Sequence, residues 1–188
     1  APSKGRAMTR RGYVTTTTFT VLVIGALSLV PIAPKLVWNA SASAPIGLYG
    51  IEPSAPLDVT DLVAVDAPEP LATFLSERGY LPRGVPLMKR VAAVPGQRVC
   101  RSGARITVDG IDMGEALERD RLGRPLPVWR GCRAVAPSEL FLMNWQVRDS
   151  LDGRYFGPLP AASVIGRAAP LYTDEDGDGR FVWRAPTR

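Results

Sequence analysis

The chain has 188 residues, a formal net charge of +5 and no histidine. Without an imidazole, Ser-His-Asp and Cys-His mechanisms are excluded. Lys4, Arg6, Arg10 and Arg11, with no acid among the first eleven residues, supply +4 of that charge. The remainder is close to neutral, so no nucleic-acid partner is expected.

Residues 1–12 read as a basic tail. Phe19 to Ala33 (FTVLVIGALSLVPIA) is uncharged and apolar. Extended by Tyr13 to Thr18 and by Pro34 to Trp38, residues 13–38 are expected to cross a bilayer as one helix, with the membrane as a partner. Lys35 would snorkel, Tyr13 and Trp38 would sit at the interfaces, and Pro31 and Pro34 would kink or end the helix. The basic tail places the N-terminus in the cytoplasm and residues 39–188 outside it. A cleaved signal peptide, with Ala40-Ser41-Ala42 as its processing site, is the alternative. Both readings export the remaining domain.

Within that domain, Asn39 to Gly50 reads as a polar, small-residue segment and Leu62 to Val65 as a short buried strand. Leu71 to Arg78 forms a short helix ended by Gly79, and Val85 to Val94 a strand running to Pro95-Gly96. A strand pair surrounds Cys100 and Ile106 and turns at Asp109-Gly110. Asp112 to Arg130 reads as an excursion tied back by Cys132. Leu140 to Trp145 and Val164 to Tyr172 are further strands. The expected class is mainly β with little helix, plus the N-terminal membrane helix. In an exported protein, Cys100 and Cys132 favour a disulfide, which would contribute roughly 3 kcal/mol by closing its loop. Two cysteines without histidine make a poor zinc set, and no metal or cofactor is expected.

Three segments carry the chemistry. In Asn39 to Tyr49 (NASASAPIGLY), Ser41 and Ser43 lie among small residues open to an extended peptide; simple linker filling is the alternative. In Leu87 to Cys100 (LMKRVAAVPGQRVC), Lys89 is the only lysine after position 38. Apolar surroundings would lower its pKa and free the amine to act as a base, with Arg90 solvated on the opposite face; snorkelling at a strand edge is the alternative. In Arg148 to Pro158 (RDSLDGRYFGP), Asp152 and Arg154 can pair, and Ser150 can orient a neighbouring amine.

Taken together, their order and spacing resemble the signal peptidase family of Ser-Lys proteases over roughly Asn39 to Tyr172. The matching motifs are Lys89-Arg90 through Pro95-Gly96, the box of Ser150, Asp152, Arg154, Tyr155, Phe156 and Gly157, and the strand Ile165 to Ala168. The resemblance implies a signal-peptidase/LexA-like β fold, Ser43 as nucleophile, Lys89 as base and Asp152 in the catalytic set. It also implies Ser41 as oxyanion helper, with Ser150 and Arg154 orienting. Ser43-Ala44-Pro45-x-Gly47-x-Tyr49 is similar to the TraF branch of conjugative-transfer peptidases. Asn144-Trp145-Gln146 replaces the Gly-Asp-Asn run of housekeeping enzymes. The branch implies a pilin precursor as partner, cut and in some relatives closed into a ring. It also implies a single-pass bacterial inner-membrane protein with a periplasmic domain of residues 39–188.

A housekeeping leader peptidase, a self-cleaving repressor-type protein and a catalytically silent β module that binds a pilus or secretion component are the competing readings. Asp174-x-Asp176-x-Asp178-Gly179 matches the start of a calcium loop, but Ala185 stands where the bidentate acid is required, so a solvated acidic turn is expected.

Overall fold

The computed structural model describes residues 9–28, 35–53 and 56–186. The chain divides into two units, residues 1–33 and 34–188, each described by itself.

In the first unit, helix α1 spans Arg10–Ser28. Its threonines are accommodated by back-bonding, Thr15 Oγ1 to the Arg11 carbonyl (3.0 Å) and Thr16 Oγ1 to the Gly12 carbonyl (2.8 Å). Among the described residues no helix is long and apolar enough to cross a membrane. Two arginines and four threonines occupy the first half of α1, and the apolar run beyond Ser28 falls at residues 29–34, outside the described residues. The expected helix over 13–38 is corrected at its far end: Leu36–Asn39 is strand β1, which pairs antiparallel with β2 (Ile46–Glu52). Alternation explains it, since Val37 and Asn39 are buried while Leu36 and Trp38 face out.

The second unit is mainly β, as expected. After β3 (Leu62–Val65) and helix α2 (Leu71–Glu77) come β4 (Leu87–Ala93), β5 (Arg98–Ser102) and β6 (Arg105–Val108). Next are β7 (Ile111–Glu115), β8 (Gly131–Ala134), β9 (Glu139–Leu142) and the one-turn helix α3 (Gly153–Phe156). The chain ends with β10 (Leu159–Pro160), β11 (Val164–Asp174) and β12 (Val182–Trp183). The larger sheet runs β1-β2-β11-β3-β4-β9-β10, with β12 also on β11; the smaller runs β7-β6-β5-β8.

The stretch from Asn39 to Gly50 is therefore not all linker. Ile46–Glu52 is a full strand beside β11, and Gly47 belongs to its packing. A Cβ on Gly47 would lie 2.2 Å from the Tyr172 carbonyl oxygen, so only glycine allows the two strands to approach.

All four residues of β3 are buried, which covers both faces of the larger sheet. Leu62 and Ala64 pack with Tyr49, Ile51, Met88 and Ala168; Val63 and Val65 pack with Val91, Leu140 and Leu142. This two-sided burial puts β4 in the interior, where a lysine is costly unless the structure uses it.

The smaller sheet turns at Asp109-Gly110, both with positive φ, as the hairpin signal predicts. Cys100 and Cys132 sit opposite each other on β5 and β8 and are joined by a disulfide. At the acidic turn, the Asp174 carboxylate accepts from the backbone N–H groups of Asp178 (3.2 Å) and Gly179 (3.0 Å). Among the described residues no three metal-ligating side chains gather.

Candidate active site

Lys89 enters from β4, opposite Val63 of β3, and is 5% exposed. Its Nζ lies 2.9 Å from Ser150 Oγ and 3.5 Å from Ser43 Oγ. Burial pushes the ammonium down from the ordinary lysine range to about 8; Asp152 pulls it back up, and Arg154 pushes it further down. A neutral Lys89 has a single lone pair. With Ser150 Oγ accepting an N–H, that lone pair is left for the Ser43 hydroxyl.

Ser43 lies in the turn between β1 and β2, and two asparagines fix that turn. Asn39, the last residue of β1, donates through Nδ2 to the carbonyls of Ser41 (2.9 Å), Ala44 (3.0 Å) and Pro45 (3.0 Å). Its Oδ1 accepts from Ser41 N (3.1 Å) and Ser41 Oγ (2.9 Å). Asn144, just past β9, donates to the Ser43 carbonyl (2.6 Å) and the Met88 carbonyl (3.0 Å), and accepts from Arg90 N (3.0 Å). One side chain thus ties the serine turn to the lysine strand.

Ser41 Oγ is 3.0 Å from Ser43 Oγ. In this arrangement the Ser41 hydroxyl is shared between Asn39 and Ser43. To donate to a tetrahedral oxygen it must turn away from both.

Asp152 and Arg154 meet as expected, Oδ2 to Nη2 at 2.8 Å, and both are almost fully buried. Asp152 also accepts from Arg154 Nε (2.9 Å), Arg154 N (3.1 Å) and Asn144 N (3.0 Å). Arg154 donates to the carbonyls of Asn144 (3.1 Å), Val147 (2.6 Å) and Arg148 (3.0 Å). Burial alone would lower the Arg154 pKa, but the hydrogen bond and charge of Asp152 outweigh it and raise it. Its carboxylate is held by the Arg154 side chain and the Asn144 backbone N–H, close enough to Lys89 for its charge to raise the lysine pKa.

Arg90 departs from expectation. It is half-buried, donates to the Thr60 carbonyl (3.0 Å) and lines a cleft beside Ser43. Asn39 and Asn144 went unassigned in the sequence, although both gave a signal. An asparagine closing an apolar alternation before Ala-Ser suits a side-chain-capped turn. A lone amide inside LFLMNW must find partners when buried.

Ser43 stands where two clefts meet. One, of about 280 Å³, is walled by Arg90, Asn144 and Asp174 to Asp176. The other, of about 540 Å³, contains Ser41, Lys89 and Ser150 and is otherwise largely apolar.

Several known proteins are similar to this chain. A probable conjugal transfer protein TraF from Sinorhizobium fredii is 34% identical over 83% of this chain and 86% of its own length. A conjugal transfer protein TraF from Agrobacterium fabrum is 35% identical over 72% and 81%, respectively. A plasmid transfer protein TraF from Escherichia coli is 32% identical over 72% and 81%. Among solved structures, a signal peptidase I from Enterococcus faecalis is 20% identical, covering 62% of this chain and 98% of its own, with a TM-score of 0.36. Residues 10–172 match the family described as signal peptidase, peptidase S26, and the chain belongs to that family.

Proposed function

We propose that this protein is a membrane-associated serine endopeptidase in which Ser43 is the nucleophile and neutral Lys89 the general base, acting on a precursor of a conjugation apparatus, a pilin above all. The observation that carries this reading is the buried Lys89 amine, 2.9 Å from Ser150 Oγ and 3.5 Å from Ser43 Oγ. With a pKa of about 8, roughly one molecule in ten holds the free amine at pH 7, against roughly one in three thousand at the ordinary lysine value of 10.5.

Lys89 takes the Ser43 proton as Oγ attacks the scissile carbonyl. The Ser43 N–H and a reoriented Ser41 hydroxyl stabilise the oxyanion. The C–N bond then breaks, Lys89 returns the proton to the leaving amine, and an acyl ester remains on Ser43. Water hydrolyses that ester; an amine of the precursor would instead form a new peptide bond and close a ring.

Two observations support a membrane setting and an oxidising compartment such as the periplasm. Helix α1 exposes Tyr13, Val14, Phe19, Val21 and Leu22, and the apolar sequence continues to Ala33. The Cys100–Cys132 disulfide suits an exported domain. The conjugal transfer names of the relatives favour a dedicated precursor over a broad set of leader peptides.

Intact-mass analysis of a co-expressed pilin precursor tests the reading. Unaltered protein is expected to yield the shortened product, and a further loss of one water marks ring closure. Ser43→Ala and Lys89→Arg are each expected to leave the precursor uncut, since arginine keeps the charge but cannot act as a base. Normal processing by Ser43→Ala identifies a silent binding module instead. Equal processing of a panel of secreted proteins identifies a general leader peptidase.

A further inference from the structure

Arg101 is a buried cation for which the reaction scheme has no use. It projects from β5 and is 5% exposed. Among the described residues no carboxylate lies within ion-pair distance of it. A guanidinium held out of water without a counter-charge is costly unless its donors are satisfied. Here they meet carbonyls: Nε donates to Gly103 (3.2 Å), and Nη1 to Pro127 (3.3 Å) and to Arg154.

The Arg154 carbonyl belongs to α3, which is only four residues long. A single turn leaves most of its carbonyls without an intrahelical donor and is not stable by itself. Two side chains from elsewhere in the chain make up the deficit. Arg101 serves the Arg154 carbonyl, and Trp129 Nε1 donates to the Gly153 carbonyl (2.9 Å). The Trp129 ring stands edge-on to Phe141 of β9, with centroids 6.4 Å apart. A Cβ at Gly153 would fall 2.6 Å from the Phe141 ring and 2.7 Å from the Leu142 carbonyl oxygen, so α3 sits directly on β9.

What hangs on α3 is the aim of the base. Asp152 caps the helix through Arg154 N (3.1 Å), and Ser150, two residues upstream, has its Oγ 2.9 Å from Lys89 Nζ. Because Ser150 accepts an N–H of Lys89, the lone pair is left for Ser43; a shift of α3 would move Ser150 and spoil that direction. Neither Arg101 nor Trp129 lines either cleft at Ser43. The hold does not depend on the disulfide, since backbone pairing joins β5 to β6 on one side and to β8 on the other.

We propose that Arg101 and Trp129 are positioning residues for the peptidase reaction: by holding the Arg154 and Gly153 carbonyls they keep Ser150 where it turns the Lys89 lone pair towards Ser43. The inference rests on the Ser43–Lys89 reading.

The test uses the full chain in detergent and the 4-nitrophenyl ester of N-acetyl-alanine, which reports acyl transfer to the serine without any knowledge of the precursor. Rates are taken per folded molecule, with the folded fraction read by near-ultraviolet circular dichroism. Arg101→Met is expected to lower kcat by up to about a hundredfold, the scale of a misplaced reacting group, and to leave KM unchanged. Arg101→Lys keeps the charge with fewer donors and is expected to recover part of that loss. Trp129→Phe keeps a ring against Phe141 and removes the N–H; kcat is expected to fall by up to about tenfold, the worth of one hydrogen bond. Arg105→Ala, on β6 of the same sheet, is the control and should change neither constant. In a cycle with Ser150→Ala, Arg101→Met is expected to cost less than about twofold once Ser150 Oγ is gone, because both act on the same lone pair. Losses that multiply in full, or a kcat unmoved in both Arg101→Met and Trp129→Phe, overturn the positioning role, while Ser43-dependent turnover leaves the peptidase reading standing. Turnover that is absent, or undiminished in Ser43→Ala, overturns the nucleophile assignment and this inference with it.

Discussion

The two sheets solve opposite problems. The larger sheet encloses polar groups: Lys89, Asn144, Asp152 and Arg154 are each at most 5% exposed, and each is hydrogen-bonded. The smaller sheet has little interior to spare at its edge; every residue of β8 is exposed, and the strand is joined to β5 by a disulfide. Partnership maintains order where charge is buried, and covalent closure maintains it where burial is thin.

The buried pair is the sharpest place to break this contrast. Arg154→Met strips Asp152 of its counter-charge and leaves three carbonyls without donors. It is expected to cost about 3–5 kcal/mol, read by denaturant unfolding. A loss below 1 kcal/mol means that water or another cation reaches Asp152.

The disulfide comes next. Cys100→Ser combined with Cys132→Ser is expected to lower stability by roughly 3 kcal/mol. Activity per folded molecule should stay unchanged, because neither cysteine lines either cleft at Ser43. Activity falling faster than the folded fraction would show that the sheets are coupled.

Lys89 gives the comparison a pH axis. Its folded pKa of about 8 lies below the unfolded value near 10.5. Between those limits the unfolded chain binds a proton that the folded one lacks, so stability rises with pH across the window. Below about 8 both states are protonated and the full cost is felt, up to roughly 3 kcal/mol. Lys89→Met is expected to be more stable than the parent at pH 7 and to flatten the rise, as measured by unfolding at pH 7 and pH 10. Activity should climb through pH 8 in the parent, and full activity at pH 5 contradicts the neutral-amine scheme.

The smallest effect belongs to the surface. Arg105 and Asp112 pair at 3.3 Å with both side chains more than half exposed. Arg105→Ala is expected to change stability by less than about 1 kcal/mol, within the spread of exposed pairs in thermal unfolding.

Much of the site was legible because its chemistry demands rare residues. A lone lysine in an apolar strand, a serine pair among alanines and the Ser150-to-Gly157 box all stand out from composition and order. Asn39 and Asn144 gave a weaker signal, since a buried amide announces a need for partners but not which carbonyls it ties together. Strand β2 was hidden inside the polar, small-residue reading of Asn39 to Gly50, and only β11 shows why a side chain at Gly47 cannot fit. The far boundary expected for the N-terminal helix was misplaced because Leu36 to Trp38 is apolar enough to extend a helix. What decides it is pairing with β2, a non-local fact.

The position of β11 has a consequence for biosynthesis. The strand threads between β2 and β3, both of which precede it in the chain, and Asn144 reaches back 101 residues to Ser43. A nascent chain therefore displays its hydroxyl and its amine long before anything holds them together. A chain that stops short of Asn144 lacks the tie between the serine turn and the lysine strand.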